Sequence, residues 1–219
     1  MRIGLICCCG MIFKMTKEHF VQHFLTRFEK DFAEKMATEI QKQGLQNQLV
    51  NVLREVIRFN LKSSEFQSEE YDFLKTRKRT EREKIAFRSA YLFETLYFKD
   101  KTILLFLKND FAELLSEVTN ESVKRHFGKI LTDVLKNNIL IFSENEYELL
   151  AETVASWAVA PHARVAVQIW AVEILLLLRE KANISEEIIG YLLEILAQDS
   201  SPAMKCRLRR WKKQGITLY

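Results

Sequence analysis

Basic side chains recur about every 40 residues along much of the chain, at Lys84, Lys124, Arg164 and Lys205. Contacts to phosphate groups need cations at suitable separations and little else, so such a row fits nucleic-acid binding. It fits an acidic protein partner as well. It also fits a structural role in which each cation pairs with a carboxylate of a neighbouring segment. The spacing alone leaves these three interpretations open.

Tryptophans are concentrated in the C-terminal part of the chain, at positions 157, 170 and 211. Aromatic rings can stack on nucleic-acid bases, so these side chains fit a surface that binds nucleic acid. Glu173 is the acid near them. The competing explanation is that Trp170 and Trp211 fill the core of the protein.

The remaining chemistry-bearing residues form no recognisable catalytic or metal-binding pattern. His19 and His23 are four residues apart, but the metalloprotease glutamate between them and a third ligand are missing. The sequence has no glycine-rich phosphate loop, no Gly-x-Ser-x-Gly motif and no Cys-x-x-Cys pair. We therefore predict no catalytic residues, no metal and no cofactor. His126 and His162 are predicted to occupy solvated or capping positions.

The composition predicts a globular protein made almost entirely of helices. Of 219 residues, 48% are hydrophobic and 28% charged, which excludes disorder. With 6 glycines and 2 prolines there is little material for turns. The net charge of +4 permits an acidic partner without requiring one.

The cysteines favour a reducing compartment. Cys7, Cys8 and Cys9 are adjacent and Cys206 stands alone, which is neither a disulfide framework nor a zinc-ligand pattern. We predict a cytoplasmic location. Residues 1–14 differ in character from the rest, with one arginine followed by an apolar run. They are interpreted as a non-native or disordered extension before a start at Met15, with a signal or anchor and a lipidated cysteine cluster as alternatives.

The segment from His162 to Lys181 is predicted to be the central helix, because it is apolar over most of its circumference. Arg164, Gln168 and Glu173 interrupt the apolar run, so it is not a membrane span. Near the N-terminus, phenylalanines at every fourth position from 20 to 32 predict one long amphipathic helix from Thr16 to Gly44. A second helix is predicted from Leu45 to Asn60, followed by a loop at residues 63–68.

Helical hairpins are predicted to repeat about every 40 residues after that loop. Residues suited to open or cap a helix place the start of the second helix of each hairpin at Thr80, Asn120, Pro161 and Ser201. The first helices are predicted at roughly Glu69–Thr76, Thr102–Glu117, Ser143–Trp157 and Ile184–Gln198. At these offsets similar residues superpose: Phe87 with Phe127, Val167 and Leu208, and Ala90 with Ile130, Trp170 and Trp211.

This period and these superposed positions resemble the HEAT-like, armadillo-type repeat family. The ending from Ser201 to Arg207 looks like the closing helix of small bacterial HEAT-like proteins. The resemblance implies an all-α fold, a right-handed α-solenoid of about five antiparallel helical hairpins. It implies one domain over residues 15–219, with an N-terminal hairpin at 15–62 and four repeats at 69–214.

The resemblance further implies a non-enzymatic binding or scaffold module that holds a protein or peptide partner along its concave face, which the second helices would line. The predicted partner-binding residues are Lys84, Arg88, Lys124, Arg164, Lys205 and Arg209, and the predicted groove residues are Trp170, Glu173 and Trp211. The alternative is a nucleic-acid-binding protein related in fold to HEAT-like DNA-alkylation-repair glycosylases, which would use the basic row on the second helices. No membrane span is expected.

Overall fold

The computed structural model describes residues 17–26, 31–61, 72–198 and 201–213, and every regular element in these ranges is helical. The all-α prediction is therefore confirmed for this part of the chain. The helices are α1 (Lys17–Leu25), α2 (Phe32–Gln43), α3 (Gln46–Leu61), α4 (Asp72–Lys75), α5 (Arg79–Lys99), a 3-10 helix (Lys101–Leu107), α6 (Phe111–Ser116), α7 (Glu121–Lys136), α8 (Glu144–Val159), α9 (Val165–Leu178), α10 (Glu186–Gln198) and α11 (Pro202–Lys213).

The predicted central helix corresponds to α9, which packs against α7, α8, α10 and α11. No residue of α9 is exposed. This placement follows from its sequence. A helix that is apolar on nearly all sides is most stable when other helices surround it and remove its surface from water. Val167, Ala171, Ile174 and Leu178 belong to one apolar core that extends from α1 to α11.

The prediction of one long helix from Thr16 to Gly44 is wrong. Helix α1 ends at Leu25, Thr26 lies in a bend and α2 begins at Phe32. The Arg88 guanidinium of α5 donates hydrogen bonds to the carbonyl oxygens of Phe24 and Thr26. Because these carbonyls at the end of α1 are satisfied by a side chain, the helix can stop there.

The end of α2 and the extent of α3 agree with the sequence. Gly44 has a φ of +67° and its amide bonds back to the last turn of α2, as a glycine cap does. Helix α3 then covers Gln46–Leu61, close to the predicted range of Leu45 to Asn60.

Three of the four predicted starts of second helices lie within one residue of the observed positions. Asn120 caps α7 by accepting hydrogen bonds from the amides of Ser122 and Val123. The start at Pro161 is wrong, because α9 begins at Val165. His162 adopts the left-handed conformation with a φ of +67°, which keeps the chain in a turn for several more residues.

The first helices agree with the prediction for α8 and α10 but not for residues 102–117. There the chain forms a 3-10 helix, a turn and the short α6 instead of one helix. The Asp100 carboxylate accepts from the Thr102 amide and fixes the start of the 3-10 helix. Asp110, which precedes α6, is bound by the Arg54 guanidinium at 2.7 Å. The contacts of Asp100 and Asp110 thus favour two short helices over residues 102–117 in place of one long helix.

From α5 to α11, successive α-helices of the chain alternate between two rows, and each helix packs on the next one of its own row. The second helices of the predicted hairpins contact each other in sequence, α5 with α7, α7 with α9 and α9 with α11, while α6 contacts α8 and α8 contacts α10. Helix α4 is the described portion of the segment predicted from Glu69 to Thr76. The predictions for residues 1–14 and for the loop at 63–68 fall outside the described residues.

Candidate functional site

Two members of the basic row meet at the first turn of α7. The Lys124 ammonium donates to Oε1 of Glu121 at 2.8 Å, and the backbone amide of Arg164 donates to Oε2 of the same carboxylate at 3.1 Å. The Arg164 guanidinium reaches the Ser122 hydroxyl at 3.3 Å. Lys124 is also almost buried, with 11% of its side chain exposed. The Arg164 contacts join the starts of α7 and α9, whereas Lys124 pairs within α7. Within the described residues, neither side chain pairs with a carboxylate of a neighbouring segment, so the structural interpretation of the row stays a prediction.

The other four predicted partner-binding residues are placed differently. Arg88 caps α1, as described above. Lys84 and Lys205 are exposed, and within the described ranges neither has a carboxylate at ion-pair distance. Arg209 is exposed and donates from Nε to the carbonyl oxygen of Lys205 at 3.4 Å. The six predicted residues therefore do not form a uniform charged surface. Arg88 and Arg164 contact a neighbouring helix and Lys124 pairs within α7, while Lys84, Lys205 and Arg209 face solvent, as does part of Arg164.

Two of the three predicted groove residues, Glu173 and Trp211, come together, but in a helix interface. The Trp211 indole donates to Oε1 of Glu173 at 3.1 Å, and the Arg207 guanidinium donates to the same oxygen at 3.2 Å. Trp211 is only 1% exposed, so its ring faces are not open to a base. The arrangement ties α9 to α11.

Trp170 is partly buried where α9 crosses α7. The helices approach so closely there that a Cβ atom built on Gly128 would lie 2.8 Å from the Trp170 Cβ. Gly128 thus makes room for Trp170.

A buried polar cluster between α5 and α7 was not predicted. Glu94 forms a hydrogen bond with Nδ1 of His126 through one oxygen and accepts from the Lys129 ammonium at 2.6 Å through the other. The rings of Phe87 and Tyr91 lie 5.5 and 5.4 Å from the His126 ring. His126 is 5% exposed, so the prediction of a solvated or capping position is wrong.

The charge state of this cluster follows from its contacts. Burial raises the pKa of Glu94, but hydrogen bonds and charge interactions with His126 and Lys129 outweigh burial and leave that pKa below its usual value. The carboxylate is therefore ionised and links two helices. The contact of Glu94 with His126 and Lys129 depends on the register between α5 and α7. That register cannot be read from the spacing of residues in the sequence.

Two further polar links connect neighbouring helices in the same half of the molecule. The Tyr97 hydroxyl donates to the Asp133 carboxylate at 2.7 Å, and Lys101 binds the same oxygen at 2.7 Å. Arg54 and Arg58 of α3 bind Asp110 and Glu117 around α6. These contacts connect α5 to α7, and α3 to the residues on either side of α6.

An apolar groove lies between α8 and α10 and was likewise not predicted. Its volume is about 510 Å³. Its floor includes Ala151 and Ala155 of α8 and Leu175 of α9. Large apolar side chains on its rim are exposed: Val159 by 52%, Ile188 by 62%, Tyr191 by 67% and Ile195 by 37%. The signal in the sequence is that α10 carries more apolar residues than one buried face needs.

The edge of this groove formed by α8 is acidic. Glu148 and Glu152 line it, and Glu144 lies one turn earlier on the same exposed side of the helix. Within the part of the chain that the structure describes, none of the three carboxylates has an ion-pair partner. The groove thus offers an apolar surface beside three uncompensated negative charges.

No family model, curated protein or solved structure matches the chain. In residues 17–26, 31–61, 72–198 and 201–213, no helix is long and apolar enough to cross a membrane. Over the same ranges, no three His, Cys, Asp or Glu side chains are grouped in a way that would hold a metal ion. The geometry of the surface is therefore what bears on function.

Proposed function

We propose that this protein is a non-enzymatic binding module that holds a protein or peptide partner in the groove between α8 and α10. The proposal keeps the binding role expected from the sequence and moves it from the second helices to this groove. The observation that carries it is the group of exposed apolar side chains on the groove rim, Val159, Ile188, Tyr191 and Ile195. Contiguous apolar surface of this kind marks interaction sites.

Energetics support the groove as the interaction surface. Apolar surface removed from water contributes roughly 25 cal/mol per Å², so a partner that covers these side chains gains a favourable term that the isolated protein lacks. The predicted partner-binding residues are less available to a partner, because Lys124, Arg164 and Arg88 already form hydrogen bonds within the protein. Glu173 likewise binds Arg207 and Trp211.

The architecture that we propose is a right-handed solenoid of HEAT-like repeats. The order of helix contacts supports it, since each second helix packs on the next one and α6, α8 and α10 do the same. A stack of this kind presents extended surfaces suited to binding another chain. A cytoplasmic location is proposed with it, on the ground that Cys206 is a free thiol.

The proposal is tested by selecting binders from a random peptide library displayed on phage. Selection on the wild-type protein should enrich peptides that lose binding to the double variant Ile188→Asp, Tyr191→Asp. The matched control is Leu105→Asp, Ile141→Asp, which makes the same change at two exposed apolar residues outside the groove and should leave binding intact. Enriched peptides that bind both double variants equally would place the surface elsewhere. A selection that enriches nothing would overturn the proposal.

A second candidate function is suggested by α11 and rests on its exposed cations. Within the described ranges Lys205, Arg209, Arg210, Lys212 and Lys213 are exposed and form no ion pair with a carboxylate. Clustered unpaired cations favour binding to nucleic acid. A mobility-shift titration with duplex and single-stranded DNA at two salt concentrations tests this, with Arg209→Glu, Arg210→Glu as the variant. Binding that neither salt nor the variant weakens would contradict it.

A further inference from the structure

We infer that the occupant of the groove is an amphipathic helix whose apolar row is flanked by lysine or arginine residues. This inference rests on the proposed function and adds the chemical class of the partner. It is carried by the shape of the groove, the spacing of its apolar residues and the three carboxylates on its edge.

The dimensions of the groove fit one face of a helix. Its lining on α8 runs from Glu148 to Val159, which is about 16 Å at the rise of an α-helix. The groove has a volume of about 510 Å³ along this length, which is room for a row of apolar side chains. These can enter while the backbone of the partner stays above the rim.

The apolar rim is spaced like a helix-binding surface. Ile188, Tyr191 and Ile195 are exposed at positions i, i+3 and i+7 of α10, so they form one stripe along that helix. Helices that dock in grooves present anchors at i, i+3 or i+4 and i+7. A partner helix aligned with α8 and α10 would match this stripe along its length.

The acidic edge gives the partner its charge. Glu144, Glu148 and Glu152 follow each other at four-residue intervals and form a row along α8 beside the apolar surface. A helix seated in the groove would place its flanking residues against this row. Lysine or arginine there is attracted, while glutamate or a phosphate group is repelled. The row therefore disfavours nucleic acid and anionic membranes as occupants.

A second copy of this chain is a poorer occupant than a separate peptide. The basic helix of the protein is α11, but its apolar residues Met204, Leu208 and Trp211 are buried against the rest of the fold. Only its charged side is available, and that side cannot fill an apolar groove. The whole molecule carries a net charge of +4, so a preference for a basic partner has to come from the local carboxylates.

The test compares two labelled helical peptides of 14 residues, one built from leucine and lysine and the other from leucine and glutamate in the same pattern. Fluorescence anisotropy with the full-length protein measures each affinity. We expect the Leu/Lys peptide to bind about tenfold more tightly, since each exposed charge pair contributes up to roughly fivefold. The double variant Glu148→Lys, Glu152→Lys should reverse the preference. The control is Asp31→Lys, Glu113→Lys, which makes the same charge change at two exposed carboxylates that do not line the groove and that form no ion pair within the described ranges.

The outcomes separate this inference from the function on which it rests. If the peptides bind equally, or if charge reversal leaves the preference unchanged, the basic partner is excluded. If both peptides nevertheless lose affinity with Ile188→Ser, Tyr191→Ser, which removes apolar surface without changing the charge, the groove remains the binding surface. If neither loses affinity with that variant, the groove is not the site and both proposals fall. Self-association detected by sedimentation that disappears in the same variant would identify a second copy as the occupant.

Discussion

The interface between α5 and α7 and the groove between α8 and α10 differ in whether their side chains are satisfied within the protein. The first contains Glu94, His126 and Lys129 in one hydrogen-bonded cluster, with Tyr97 and Asp133 linked further along. The second has a floor of small residues and exposed apolar side chains on its rim. On its edge, Glu144, Glu148 and Glu152 form no ion pair within the part of the chain that the structure describes.

The difference separates groups that specify the fold from groups available to a partner. Buried polar groups must be satisfied inside the molecule, and in the α5–α7 interface each named group has its partner there. In the groove, apolar surface and charge are both left uncovered. Substitutions in the first region should therefore change stability, and substitutions in the second should change binding.

The largest effect is expected from Glu94→Ala. This change leaves His126 and Lys129 without their shared carboxylate in a nearly buried site, and should lower the free energy of unfolding by about 3 kcal/mol. Urea unfolding followed by circular dichroism measures it. The matched control is Glu152→Ala on the groove edge, where less than about 0.5 kcal/mol is expected. Equal losses for the two variants would contradict the comparison.

A somewhat smaller loss is expected from Gly128→Ala. The added Cβ would lie 2.8 Å from the Trp170 Cβ, so α7 and α9 must move apart. Overpacking of about 3 kcal/mol outweighs the gain of about 1 kcal/mol in helix propensity, for a net loss of about 2 kcal/mol. Thermal unfolding measures the change, with Lys136→Ala at an exposed position of α7 as the control. A more stable Gly128→Ala variant would show that the close approach is absent.

The polar interface should also make stability depend on pH in the acid range. Burial raises the pKa values of Glu94 and Asp133, but their hydrogen bonds to Lys129 and His126, and to Lys101 and Tyr97, lower both below the usual range. A lowered pKa in the folded state means that the stabilisation is complete above the ordinary carboxyl pKa of about 4 and is lost as the pH falls through the lowered values. Urea titrations from pH 7 to pH 3 should show this decline. The double variant Glu94→Gln, Asp133→Asn should show a flatter one, and an unchanged slope would be evidence against these links.

The smallest effect on stability is expected in the groove. Tyr191→Ser and Ile188→Ser change side chains that are 67% and 62% exposed, so each should alter the free energy of unfolding by less than about 0.5 kcal/mol. Leu192→Ala, on the same helix but 7% exposed, should cost about 2 kcal/mol. Chemical denaturation of the three variants measures the contrast. A large loss for Tyr191→Ser would mean that the rim is part of the core.

The sequence predicted most helices because their signals are local. The apolar circumference of α9, the Asn120 cap and the Gly44 cap act within a few residues of themselves. The breaks at Thr26 and at residues 108–110 depend on Arg88 and Arg54, which lie far away in sequence. Sequence spacing does not contain that information.

The candidate site was harder to predict for the same reason. The contacts of Arg164 with Glu121 and Ser122 depend on how α7 and α9 pack. The groove depends on how far α8 and α10 stand apart. The surplus apolar residues of α10 were its only trace in the sequence, and a core helix would show the same pattern.

The central claim, that the groove between α8 and α10 is the binding surface, is tested most directly by nuclear magnetic resonance. Isoleucine methyl groups are labelled and the protein is titrated with the Leu/Lys peptide. We predict that Ile188 and Ile195 shift, while Ile85 and Ile130 in the core beneath α5 and α7 do not. Shifts confined to Ile169 on α9, or no shift at saturating peptide, would contradict the account.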